Sequence, residues 1–88
     1  MSVQYTQEEF LKIMQKYNSM DRKTITINLS TIYKKIGIKA KDIIEDLQYS
    51  SYKIHSWTAI SSPNIPTFDD ALLLAVRYGF DIKELIKD

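Results

Sequence analysis

Apolar residues recur along the chain at three- and four-residue steps, interrupted by short polar links. Phe10, Ile13, Met14 and Tyr17 form the first such stripe. A capping box precedes it, in which Thr6 can accept the Glu9 amide while the Glu9 carboxylate reaches back to Thr6. The pattern predicts a helix from about Gln7 to Asn18 and a turn over Asn18 to Asp21. Thr24 to Leu29 alternates polar and apolar residues with β-branched side chains, which predicts a short strand or extended arm. The alternative is a lead-in to a helix capped by Asn28 or Ser30. Leu29, Ile32, Tyr33 and Ile36 make the next helical stripe, and Gly37 stops it as a left-handed cap, with Ile38 packing back.

A helix from about Ala40 to Gln48 turns Ile43, Ile44 and Leu47 inward, and Asp42 near its start suits the helix dipole. Tyr49 and Ser50 form a short connection. Ser50 then caps a helix running to about Thr58, with Ile54 and Trp57 inward. Ser61 to Pro66 holds both of the chain's two prolines and must be a loop. Thr67 caps the next helix, whose first turn carries Asp69 and Asp70 and whose stripe is Phe68, Leu72, Ala75 and Val76. Gly79 closes it and Phe80 packs behind. Asp81 caps a last short helix with Ile82, Leu85 and Ile86 apolar. The expected fold is all-α: a small helical bundle of five to six short helices, with a short N-terminal extended arm where Thr24 to Leu29 stays outside them.

At 88 residues the chain suffices for one small domain. It has no cysteine, one histidine and two glycines, so disulfides, cysteine-ligated metals and a glycine-rich phosphate loop are excluded. His55 lacks partners for a metal site, and no nucleophile–base pair stands out. The expectation is a non-enzyme without metal or cofactor. No run of 18 apolar residues occurs and the first ten residues are polar, which predicts a soluble cytoplasmic protein without a membrane span or secretory signal. The net charge of +1 conceals a segment, Arg22 to Lys41, with six positive residues and no negative one. Such a half-face can attract a polyanion, although on charge alone a solvated lysine face is the stronger reading.

The order of elements resembles the Cro/C1-type helix-turn-helix family of phage repressors and bacterial regulators, the lambda-repressor-like fold. Ile36 to Ser50 looks like that family's first motif helix and turn, and Ser51 to Trp57 like its recognition helix, with Ile54 and Trp57 at the two core positions. Pro66 to Ala75 resembles its proline-led fourth helix, and Tyr78 to Leu85 its closing turn and last helix. The resemblance covers about Leu29 to Ile86, which divides the chain into an N-terminal helix and arm, 1–28, and a helix-turn-helix domain, 29–88. The chain departs from the family pattern at several positions. Ile44 stands where a small residue is usual, Gln48 where glycine is, Ala40 where glutamine is frequent and Thr58 where glutamate is. The Ala59 to Asn64 loop is also longer than usual.

The resemblance implies double-stranded DNA as the partner and a homodimer on a two-fold site. With Ile54 and Trp57 inward, the helical step places Tyr52, His55 and Ser56 outward, flanked by Ser51 and Lys53, as base-facing candidates. Lys39, Lys41, Ser50, Ser61, Ser62 and Asn64 are the phosphate-facing candidates. Lys34 and Lys35 either widen that surface or balance Glu45 and Asp46. Trp57 is expected in the core. The implied function is a small sequence-specific transcriptional regulator or repressor of a bacterium, phage or mobile element. The competing reading keeps the fold as a protein-interaction module, an inhibitor or antirepressor, with a protein partner engaged through the N-terminal helix.

Overall fold

Among the described residues, five α-helices and a closing 3₁₀ helix account for the regular structure: α1 (Gln7–Ser19), α2 (Arg22–Ile36), α3 (Ala40–Leu47), α4 (Ser51–Ser56), α5 (Phe68–Tyr78) and the 3₁₀ helix Ile82–Ile86. They are seen in a computed structural model that describes residues 5–59, 61 and 64–88. The fold is an all-helical small bundle, with no strand among the described residues. No helix among them is long and apolar enough to cross a membrane.

Local chemistry sets most boundaries. Thr6 and Glu9 form the reciprocal capping box at α1, with the Glu9 amide donating to Thr6 Oγ1 at 3.1 Å. Thr67 and Asp70 form a second box at α5. Gly37 and Gly79 end α2 and α5 in the left-handed region, at φ 76° and 73°. Gln48 ends α3 in the same region at φ 57°, where a side chain is tolerated at some cost.

The segment Thr24 to Leu29 is helical, not an extended arm, and neither Asn28 nor Ser30 is a cap. Asp21 is the cap, its carboxylate accepting the Thr24 amide at 3.2 Å. Side-chain burial explains why the alternation misleads. A strand would place Ile25, Ile27 and Leu29 on one face, but Ile25 and Leu29 are buried with Ile32 and Tyr33 while Ile27 is exposed. That is an i, i+4, i+7, i+8 stripe. Asn28 instead donates through Nδ2 to the Leu85 and Lys87 carbonyls at 2.9 and 2.8 Å, closing the end of the 3₁₀ helix. Helix α2 therefore runs unbroken through the Asn28–Leu29 division.

One core joins the ends of the chain. Ile13 and Tyr17 of α1 are buried in the same cluster as Leu29, Ile43, Trp57 and Leu74. The Tyr17 hydroxyl donates to the Pro66 carbonyl at 2.7 Å, fixing the approach to α5. Tyr5 donates to Asp81, and Lys16 pairs with Asp88 at 3.1 Å. In α5 the buried stripe is Ala71, Leu74 and Ala75, with Leu72 half-buried and Val76 79% exposed. The expected inward place of Val76 is thus corrected. Every residue from Ala71 to Val76 is apolar, so the sequence admits two helical registers, and contacts with α1 and the 3₁₀ helix select one.

Two outcomes test this packing. Deleting residues 1–21 removes Ile13 and Tyr17 from the core, and circular dichroism should show loss of the cooperative melt. Trp57→Ala should cost about 3–5 kcal/mol in denaturant unfolding, a large share of a small domain's stability.

Candidate nucleic-acid interface

Helix α4 is too short to persist alone and is held by what it packs against. Ser50 caps it, its Oγ accepting the Lys53 amide at 3.1 Å. Ile54 and Trp57 are buried beneath it, as expected from their spacing. Helix α3 packs directly on α4 across the three-residue link Gln48 to Ser50, and left-handed Gln48 reverses the chain. Ile44 of α3 is half-buried and packs at the core's edge.

The structure brings most of the base-facing candidates onto one short helix but separates their roles. Ser51, Tyr52 and His55 are exposed, and Tyr52 is 82% exposed. Ser56 departs from the expected outward place. It is half-buried, and its hydroxyl donates to the Lys53 carbonyl at 2.7 Å, leaving only an acceptor for an outside partner.

Lys53 is exposed, as expected, but is engaged within the fold. Its ammonium lies 3.6 Å from a carboxylate oxygen of Asp70, at the start of α5, and 4.7 Å from the centre of the Tyr49 ring. Tyr49 in turn donates to the other Asp70 oxygen at 2.7 Å and meets Trp57 edge-on at 5.7 Å between ring centres. Although α4 itself carries no acid, α5 supplies one beside it.

Burial opposes the charge on Asp70, but hydrogen bonds from Tyr49 and Thr67, together with the Lys53 ammonium, outweigh it and lower its pKa. The same carboxylate, with burial, pushes the Tyr49 hydroxyl up to about 12.

Among the phosphate-facing candidates, Lys39 and Lys41 are exposed at the start of α3, and neither joins an ion pair among the described residues. The helix start itself is partly occupied, because the Asp42 carboxylate accepts the Lys39 amide at 2.9 Å. An incoming phosphate would meet the lysine side chains there more readily than free amides. Ser50 keeps a hydroxyl proton to donate while it caps. Ser61 and Asn64 are exposed, and the Asn64 amide donates to the Ser56 carbonyl at 3.3 Å, which returns the loop to the end of α4. Ser62 lies outside the described residues. Lys35 pairs with Glu84 at 2.9 Å, whereas Asp46 binds Arg77 at 3.3 Å and the Tyr78 hydroxyl at 2.9 Å. Of the two alternatives for Lys34 and Lys35, an ion pair with Glu45 or Asp46 does not form among the described residues.

Sequence reasoning missed Tyr49 and Asp70 as partners of the motif. The Thr67 cap and Asp70 in the first turn were legible from spacing, but the contact from Tyr49, 21 residues away, carries no local signal. Comparisons with family models, curated protein sequences and solved structures give no match for this chain.

The lowered Asp70 pKa has a definite sign in stability. Its ionised form contributes fully above the ordinary carboxyl value, and the contribution is lost as pH falls through the lower folded value. Asp70→Asn should therefore be less stable than wild type near pH 7, with the gap narrowing below about pH 4. Urea unfolding at both pH values measures it. A gap that stays constant would show that the Asp70 charge is not engaged.

Proposed function

We propose that the protein is a small sequence-specific DNA-binding regulator that sets α4 in the major groove of double-stranded DNA. The observation that carries this reading is the exposed Ser51–Tyr52–His55 face of α4, with Ile54 and Trp57 buried on its other side and α3 packed across a three-residue turn. A helix so mounted offers short side chains to base edges, while the helix before it approaches the backbone. Each residue has a plausible chemical part. The Tyr52 ring suits a thymine methyl and its hydroxyl a base edge or phosphate. Ser51 can donate or accept, and so can His55, according to tautomer. Lys39 and Lys41 supply sequence-independent attraction, and Ser50, Ser61 and Asn64 supply neutral donors. A single module spans only a half-site, so the protein binds as a homodimer on a two-fold site. The reading fits a regulator of a bacterium, phage or mobile element acting in the cytoplasm, with no catalytic activity.

One observation favours a second reading, a protein-interaction module. Val76 and Leu73 are exposed apolar residues on α5, away from the helix-turn-helix elements in sequence.

Binding-site selection from random duplexes, followed by titration at two salt concentrations, separates the two. DNA binding predicts a defined site and a steep loss of affinity with salt. Tyr52→Ala, Ser51→Ala and His55→Ala should alter the preferred sequence, each by about 1–3 kcal/mol where a base contact is lost. Lys39→Ala and Lys41→Ala should weaken all sequences alike and lower the salt slope by about 0.9 per lost phosphate contact. All five positions are exposed, so melting temperatures should barely change. Folded wild-type protein that selects no site would favour the protein-interaction reading.

A further inference from the structure

We infer that Lys53, although it lies on the proposed reading helix, is a positioning residue that locks α4 to α5 through Asp70 and does not itself read DNA. The inference rests on the DNA-binding reading and refines how that site recognises its sequence. A lysine in the middle of a recognition helix is ordinarily the first candidate for a guanine contact, as a cation donating to O6 and N7.

Here its ammonium, on a side chain that is 45% exposed, already has a carboxylate as counter-ion and an aromatic face. Asp70 is 3.6 Å away, and the Tyr49 ring centre is 4.7 Å away. The acceptor is itself fixed. The Asp70 side chain is only 17% exposed and takes hydrogen bonds from the Tyr49 hydroxyl and the Thr67 amide. Three elements meet at this one carboxylate: the turn through Tyr49, α4 through Lys53 and the start of α5 through Thr67. Such a clasp adds a polar tie between α4 and α5 to the packing that Ile54, Trp57 and α3 already provide. Moving the ammonium to a base would break the ion pair and leave the half-buried carboxylate less well compensated.

Recognition by α4 therefore falls to Ser51, Tyr52 and His55. Cationic attraction comes from Lys39 and Lys41, outside the helix. Lys53 affects affinity by steadying that face and leaves the choice of base to those three residues.

A double-mutant cycle tests this. Lys53→Met keeps the apolar stem over Tyr49. Asp70→Asn keeps the shape and the backbone amide's bond to Thr67 Oγ1, although its single side-chain oxygen can accept from only one of Tyr49 and Thr67. The pair is also combined. Lys53→Arg, which can still pair with Asp70 and stack on Tyr49, serves as the conservative rescue. Each is measured on the selected duplex, on single-base variants of it and at two salt concentrations, well below its own melting temperature so that all the protein is folded. Lys53→Met and Asp70→Asn should each weaken binding by a similar factor, roughly three- to tenfold, with the double variant no weaker than either single one. The salt slope and the order of preference among single-base variants should stay as in wild type, and Lys53→Arg should bind within about twofold of it.

The inference is overturned if Lys53→Met changes the preferred base at a position or lowers the salt slope by one phosphate contact. It is equally overturned if Asp70→Asn tightens binding by releasing the lysine. Those outcomes leave the DNA-binding reading standing. Absence of site-specific binding by folded wild-type protein would overturn that reading and this inference with it. A denaturant-unfolding cycle on the same four proteins would still report whether Lys53 and Asp70 are coupled in the free protein.

Discussion

The exposed face of α4 depends on burial of Ile54 and Trp57. A helix of six residues forms too few internal hydrogen bonds to repay its own ordering, so its conformation is imposed by the surface it covers. Trp57 is the largest of the fully buried side chains. It is fully buried in the cluster that also holds Ile43 of α3, Leu74 of α5 and Tyr17 of α1. Because the two inward residues are three apart, the outward residues are fixed as a consequence, and the exposed identity of Tyr52 and His55 follows from core packing.

Electrostatics then refines what packing begins. The segment from Arg22 to Lys41 holds six basic residues and no acidic one, and the folded chain pairs one of them, Lys35, and also Lys53 beyond it. Lys35 meets Glu84, Lys53 meets Asp70, and the Asp42 carboxylate sits at the start of α3. Exposed pairs of this kind contribute little stability, and the Lys35–Glu84 bridge is of that type. The Asp70 site differs because the carboxylate is mostly enclosed and carries hydrogen bonds from two other residues. What remains available at the proposed interface is two lysines on α3 and a largely neutral α4. That balance favours recognition by shape and hydrogen bonding with modest non-specific attraction.

Much of the fold was legible because its signals are local. The capping box at Thr6, the Thr67 cap, the glycine stops at Gly37 and Gly79, and the Ile54–Trp57 spacing each depend on residues within a turn or two. The extended arm failed because alternation in Thr24–Leu29 is shared by a strand and by a helix that buries Ile25 and Leu29, and only Ile27 distinguishes them through its exposure. The register of α5 failed for a related reason: an unbroken apolar run gives periodicity nothing to choose between. At the candidate site, placement of Ser51, Tyr52 and His55 was readable from the helical step. The diversion of Lys53 was not, since it depends on Asp70 and Tyr49, which only the tertiary fold brings together.

The most direct test of the account is a titration of isotopically labelled protein with a selected duplex, followed by amide chemical shifts in NMR. The account predicts that the largest changes fall on Ser50 to Ser56, on Lys39 to Lys41 and on Ser61 and Asn64, with α1 and the exposed Leu73–Val76 side of α5 little affected. Changes confined to α1 or to α5, with α4 silent, would contradict it.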